Sequence, residues 1–237
     1  MTYYAASTYL PYRCPWAYYT ALFETLRSSL HGTNRRKNSA ASIAENNQNR
    51  GGTTALIDRR IAELCIKEEM VRPFHPEAVQ PCSYDVHLGP NALVERRGGF
   101  QPLDLSSYDD KRPYYMSPGE FILGETVEFI KLPDNVEAHL HLVSSRAREG
   151  LNHSLSGLVD CSWQGKLTLE LKNILKYGHI PIYPNLRVAQ LSFWEYSENA
   201  QRPYRGRYFG VINDSRHYFK SLTQAKLYLD HQDAVST

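Results

Sequence analysis

Residues 156–173 read SGLVDCSWQGKLTLELKN, and two acids stand ten positions apart in them: Asp160, after the apolar pair Leu158-Val159, and Glu170, inside the run Lys166 to Lys172. A positioned carboxylate can take a proton from water as the water attacks an electrophile, and can then return it to the leaving group. In an extended chain Leu167, Leu169 and Leu171 share one face, and Lys166, Thr168, Glu170 and Lys172 share the other. By that pattern alone Glu170 sits on a solvated face between lysines, and Asp160 is a turn former ahead of Gly165. The two acids either decorate a surface or work as a pair.

Three further stretches carry chemistry-bearing types. VSSRAREGL (143–151) sets two hydroxyls and two arginines directly after an apolar alternation. Guanidinium offers a planar donor fork and hydroxyls add short donors, which suits phosphate oxygens. The same residues suit a helix start capped by Ser144 or Ser145. RPYRGRYFG (202–210) interleaves basic, aromatic and glycine residues, as a segment closing over an anionic, base-bearing ligand would, and as a basic tail would too. HPEAVQPC (75–82) orders His75, Glu77 and Cys82 as zinc-dependent nucleobase deaminases do. The second cysteine of that signature would fall at position 85, which is Asp, and its two halves stand too close together, so no zinc site is expected. Cys14, Cys65, Cys82 and Cys161 form no CxxC pair, which suggests neither a disulfide framework nor a zinc ribbon.

The elements that must position these residues are short. SYDVHLG, GEFILGETVEFIKLP, VEAHLHLVSS, GKLTLELKN, HIPIYP and RVAQLSFWEY are strand-length alternations bounded by Pro, Gly and Asn. Strands so spaced predict an all-β barrel or sandwich rather than βα units. TTALIDRRIAELCIKEEM predicts one short helix, capped at Thr54 or Asp58, with Ile61, Leu64 and Cys65 facing inward. Ahead of it, a tyrosine-rich segment contains one amphipathic stretch, WAYYTALFETLRSSL (16–30), and a polar linker follows (31–54). Three regions are expected: an extension over 1–54, a β-barrel domain over 55–196 and a mobile tail over 197–237. With 42% hydrophobic residues, 22% charged residues and a net charge of +2, the composition is that of an ordinary globular protein. It calls for neither a nucleic acid nor a membrane partner, and the apolar runs fall short of the roughly 18 residues a spanning helix needs. A cytoplasmic location is the expectation.

Read in order, ALIDRRI, QPCSYDVHLG, PGEFILGETVEFIKLPDNV, SSRAREGL, SGLVDCSWQGKLTLELKN and AQLSFWEY resemble the dCTP deaminase branch of the dUTPase superfamily, over about residues 55–216. The resemblance implies a mainly β fold, a distorted antiparallel β-barrel with a few short helices, assembled as a homotrimer with sites between subunits. It implies hydrolytic deamination of dCTP to dUTP, with Mg²⁺ carried by the triphosphate and no zinc. Glu170 falls on the base that activates water against C4 of cytosine, and Ser144 and Arg148 on the residues that order it and the pyrimidine edge. Ser145 falls on a phosphate contact, Ser156 and Gly157 on the nucleotide loop, and Leu167 and Thr168 on the backbone groups that read the base. Tyr204, Arg207, Tyr208 and Gly210 lie in the tail that closes over sugar and phosphates. In the bifunctional branch, which goes on to cut dUTP to dUMP and pyrophosphate, an aspartate at the place of Asp160 activates water at the α-phosphate; Gly157 matches that branch. The chain departs from the pattern at Val143, where arginine is usual, at Ser156, where alanine is usual, and at Val211, where glutamine is expected, and its 151–160 loop is about one residue short. Arg146 and Arg205 are candidate replacements for the lost phosphate donors. The alternatives are a dUTP diphosphatase without deamination and a non-catalytic nucleotide-binding trimer; dTTP stands as a candidate feedback ligand.

Overall fold

A computed structural model describes residues 52–154, 157–206 and 208–210. The amphipathic stretch over 16–30, most of the polar linker, Ser156, Arg207, Val211 and the rest of the tail lie outside the described residues.

The expected mainly β architecture is present. In chain order the strands are β1 (Thr53–Ala55), β2 (Val71–Arg72), β3 (Val79–Gln80), β4 (Ser83–Arg96), β5 (Gly99–Asp104), β6 (Tyr114–Met116), β7 (Phe121–Lys131), β8 (Val136–Leu142), β9 (Leu151–His153), β10 (Leu158–Val159), β11 (Gln164–Asn173), β12 (Ile180–Ile182) and β13 (Arg187–Tyr196). Helix α1 (Asp58–Lys67) and the single-turn helix α2 (Ser144–Arg148) join them. The described strands form one antiparallel sheet along the path β10-β8-β13-β4-β7-β11-β9, curled into a distorted half-barrel, with a separate β6-β12 ribbon.

Strand β4 does the bending. Its first half pairs with β13, as Gln190 opposite Asp85, and its second half pairs with β7, as Leu93 opposite Leu123. Between them the register slips at Gly89-Pro90, where a proline removes a ladder donor and a glycine admits close approach. A Cβ on Gly89 would stand 2.9 Å from Glu125 Cγ, so this glycine gives a neighbouring strand its acid. The core has Tyr84, Leu88, Ile122, Ile130, Leu169 and Phe193 among its fully buried side chains.

Helix α1 packs Ile61, Leu64 and Cys65 into that core as their spacing predicts. Its cap differs from the expectation. Thr54 belongs to β1, Asp58 is the first helical residue, and Ile57 occupies the cap position without a side-chain bond. The chain enters the helix straight from an edge strand pinned to β13 by the Leu56 amide on Phe193 O (2.9 Å), which leaves no free turn in which a hydroxyl could fold back.

Candidate functional site

Strand β11 buries Leu167, Leu169 and Leu171 and leaves Thr168 and Lys172 exposed, but Glu170 between them is half-buried. The backbone at Glu170 is held on both sides: the residue pairs with Leu123 on β7, and its carbonyl accepts the Ser154 amide at 3.1 Å. Among the described residues its carboxylate has no hydrogen-bonding or ionic partner. It is therefore a rigidly mounted acid free to meet water or a ligand.

Helix α2 stands at the end of the same sheet edge. It runs through Gly150, at φ +90, into β9, which pairs Asn152 with Lys172 and His153 with Leu171. The Ile174 amide bonds Gly150 O at 3.0 Å, so the end of α2 and the end of β11 are tied together. Neither Ser144 nor Ser145 caps the helix. Val143 is the cap, 6% exposed, its amide on Val188 O at 3.1 Å and its carbonyl accepting the Arg146 and Ala147 amides. A buried apolar residue thus fills the position where the family pattern has arginine, and the Ser144 and Ser145 hydroxyls and the Arg148 guanidinium are left exposed, with no hydrogen bond among the described residues. The candidate replacements are engaged within the chain: Arg146 bonds Glu149 at 2.7 Å, and Arg205 lies 4.3 Å from the Phe209 ring centre.

Gly157 rests against β8. Gly157 O accepts the Leu140 amide at 2.8 Å, and a Cβ on Gly157 would stand 2.8 Å from Leu140 O, so any side chain here would push the loop off the strand. Asp160 follows on the exposed corner. Its backbone closes the turn, with the Trp163 amide on Asp160 O at 3.1 Å, while its carboxylate takes no part in that turn and is solvent-facing. It is a turn residue whose acid remains unspent.

Base reading through the backbone meets one obstacle. A register slip between Lys166 and Thr168 makes Leu167 a bulge residue, and its amide is bonded to Thr126 Oγ1 at 3.0 Å, so that donor is not free while the bond holds. In the tail, Tyr204 is half-buried, Tyr208 is exposed, and Gly210, at φ +70, donates its amide to Gln164 O at 2.8 Å.

Three acids escaped the sequence reading. Glu128 accepts both the His87 amide (2.9 Å) and His87 Nδ1 (2.7 Å); the bond with Glu128 raises the imidazole pKa. Glu125 takes Lys166 Nζ at 3.1 Å and Asn91 Nδ2 at 2.9 Å. Asp85 holds Arg187 at 2.8 Å and Gln80 at 3.0 Å, and its pKa is pushed up by burial. Two clefts adjoin them: one of about 380 Å³ between His75, Asp85, His87 and Arg187, and one of about 740 Å³ between Tyr108, Lys166 and Tyr183. The signal was the break in alternation at GETVEF, where consecutive positions Gly124, Glu125 and Thr126 are all buried. Among the described residues, no group of three or more His, Cys, Asp or Glu side chains could hold a metal ion.

The comparisons with known proteins agree with one another. Residues 55–196 match the family model described as dCTP deaminase-like. The chain is 32% identical over 192 residues to the dUMP-forming dCTP deaminase of Dictyoglomus thermophilum, covering 74% of this chain and 95% of that protein. It is 34% identical over 186 residues to the protein of the same name from Persephonella marina, covering 74% and 98%. Among solved structures, the 2'-deoxycytidine 5'-triphosphate deaminase of Agrobacterium tumefaciens superposes with a TM-score of 0.52 at 20% identity, over 60% of this chain and 48% of that one. That likeness speaks for the fold.

Proposed function

The chain belongs to the dCTP deaminase-like family, and from that premise we propose that it hydrolyses dCTP to dUTP and ammonia and then cuts dUTP to dUMP and pyrophosphate. The observation that carries the reading is the half-buried carboxylate of Glu170, without a partner among the described residues, on a strand clamped from both sides.

In the first reaction Glu170 accepts a proton from water as the oxygen bonds to C4 of the cytosine ring. Glu170 returns the proton to the amine, which leaves as ammonia, and the remaining proton of the C4 hydroxyl passes to ring N3 as the carbonyl forms. Ser144 and Arg148, whose side chains have no hydrogen bond among the described residues, are suited to orient that carboxylate and the pyrimidine edge, and Ser145 to meet a phosphate. In the second reaction Asp160 activates a water for attack at the α-phosphorus, and pyrophosphate is the leaving group. Ser156, Gly157, Leu167 and Thr168 frame the nucleotide; for Leu167 this requires its carbonyl or a loosened Thr126 bond. Tyr204, Arg207, Tyr208 and Gly210 contribute from the tail. Mg²⁺ enters as part of the substrate, held by triphosphate oxygens.

Helix α2 presents its polar groups outward, and Leu158 and Tyr177 are 60% and 80% exposed. Both features support a homotrimer in which a neighbouring copy covers the site; light scattering should give about three times the chain mass. Within the described residues, no helix is long and apolar enough to cross a membrane. The reading places the enzyme in the cytoplasm, on the deoxynucleotide pool, with dTTP as a feedback ligand.

The test is to incubate the full chain with dCTP and Mg²⁺ and resolve ammonia, dUTP, dUMP and pyrophosphate over time. Ammonia with matching dUMP and pyrophosphate is expected. Accumulated dUTP without dUMP removes the second reaction, and absence of ammonia removes the first.

A further inference from the structure

The turn that carries Asp160 is gripped from two sides. From below, Pro133 O accepts the Ser162 amide (3.1 Å), Asp134 accepts the Ser162 hydroxyl (2.7 Å), and the Leu132 amide bonds Trp163 O (2.8 Å). From above comes the chain that follows β13. Ala200 donates its amide to Asp134 O (2.9 Å), Tyr204 to Cys161 O (3.3 Å), and Gly210 to Gln164 O (2.8 Å). The rings of Trp163 and Tyr204 meet with centres 5.1 Å apart. Gly206 lets the tail wrap tightly here, since a Cβ on it would stand 2.7 Å from Tyr204 Cζ. The tail's first residues thus trace the very turn on which Asp160 sits.

That grip matters because the turn is intrinsically weak. Ser162 holds φ +68, unfavourable for a non-glycine residue, and among the described residues Asp160 makes no side-chain bond that would fix it. Among the described residues the buried indole Nε1 of Trp163 has no hydrogen-bond partner, and what the position visibly uses is the ring. Glu170 is mounted differently, further along β11, where Leu123 on β7 and the Ser154 amide hold its backbone.

We propose that Trp163 is a positioning residue for phosphate cleavage: its ring, seated against Tyr204, ties residues 200–206 to the Asp160 turn and so holds the acid in place. The inference rests on the reading of Asp160 as the second base.

Trp163→Leu should slow pyrophosphate release about 10- to 100-fold, the scale of a misplacement of about 1 Å, while ammonia release stays within about twofold and dUTP accumulates. Trp163→Phe, which keeps a ring, should restore most of the lost step. An activity-independent readout is trypsin cleavage after Arg205, which Trp163→Leu should accelerate. Should that variant fail to fold, Tyr204→Leu opens the same contact from the tail side and must accelerate the same cut. Equal loss of both products, or cleavage at the wild-type rate in a folded variant, overturns the inference. An Asp160→Asn protein that still releases pyrophosphate overturns the Asp160 reading and the inference with it; an inactive Asp160→Asn beside a fully active Trp163→Leu overturns the inference alone.

Discussion

Two sets of acids divide this molecule. On β4 and β7, Asp85, Glu125 and Glu128 are 3%, 3% and 1% exposed, and each is bonded to a cation or an imidazole. On β11 and the turn before it, Glu170 and Asp160 reach solvent, with no side-chain partner among the described residues. Burying a carboxylate is tolerable only when another group compensates its charge, so the first set is committed to the fold. The second set is open to water, and it is the set that can handle a proton from it. Exchanging their effects is the way to test the division.

The largest effect should come from the buried set. Glu128→Ala strands His87 and removes two hydrogen bonds, and should lower unfolding stability by about 3–5 kcal/mol; chemical denaturation measures it, and a loss below about 1 kcal/mol would erase the contrast. Next comes Glu170→Gln. It should reduce ammonia release at least ~100-fold, roughly 2.7 kcal/mol of barrier, while the denaturation midpoint barely moves and dCTP still binds in calorimetry. Asp160→Asn keeps a turn-forming side chain but cannot take the proton, so dUTP should build up from dCTP with ammonia release little changed; a parallel fall in both products would make Asp160 structural instead.

Smaller, and specific to the buried set, is a pH effect. The His87 pKa is raised in the folded chain, chiefly by its bond with Glu128. The stability this contributes is full below the unfolded value near 6.5 and fades as pH rises through the folded value. Wild type should therefore exceed His87→Gln most clearly at and below about pH 6.5, with the gap narrowing above it. The His153 pKa is lowered, first by burial, so its own contribution is lost as pH falls below 6.5. Comparing the two proteins at each pH cancels that opposing slope. Smallest of all, Arg60→Ala breaks a part-exposed pair with Glu195 at 2.7 Å and should cost no more than about 1 kcal/mol.

The strands were legible because alternation is a direct image of a sheet with one buried face. Leu167, Leu169 and Leu171 are at most 6% exposed where their parity puts them. What alternation could not carry is a change of phase. At GETVEF the strand turns three consecutive residues inward, Gly124 to Thr126, and Glu125 passes from an apparent surface position to one walled by Gly89, Asn91 and Lys166. The α2 cap was misjudged for a related reason. Ser and Thr are favoured caps because their hydroxyls fold back on the helix, but here β8 delivers a buried valine to the cap and turns both serines outward. Glu170 and Asp160 could be singled out by type and spacing. Their different mountings, one in a ladder and one on a turn shared with the tail, depend on contacts between separate segments, such as Glu170 with Leu123 and Cys161 with Tyr204, and no local pattern encodes those.

The short strand β1 has a practical consequence for anyone trimming this chain. Strand β4 covers one side of β13 up to Leu191, and from there Thr53–Leu56 takes over, pairing Ala55 with Trp194 and Thr53 with Tyr196 and donating the Leu56 amide to Phe193. A version shortened beyond Gly52 would bare a run of unsatisfied carbonyls and amides beside Phe193, Trp194 and Tyr196. Such an edge invites strand-to-strand stacking between molecules, so the safe cut lies on the N-terminal side of Thr53, and turbidity on storage would betray a cut made too late.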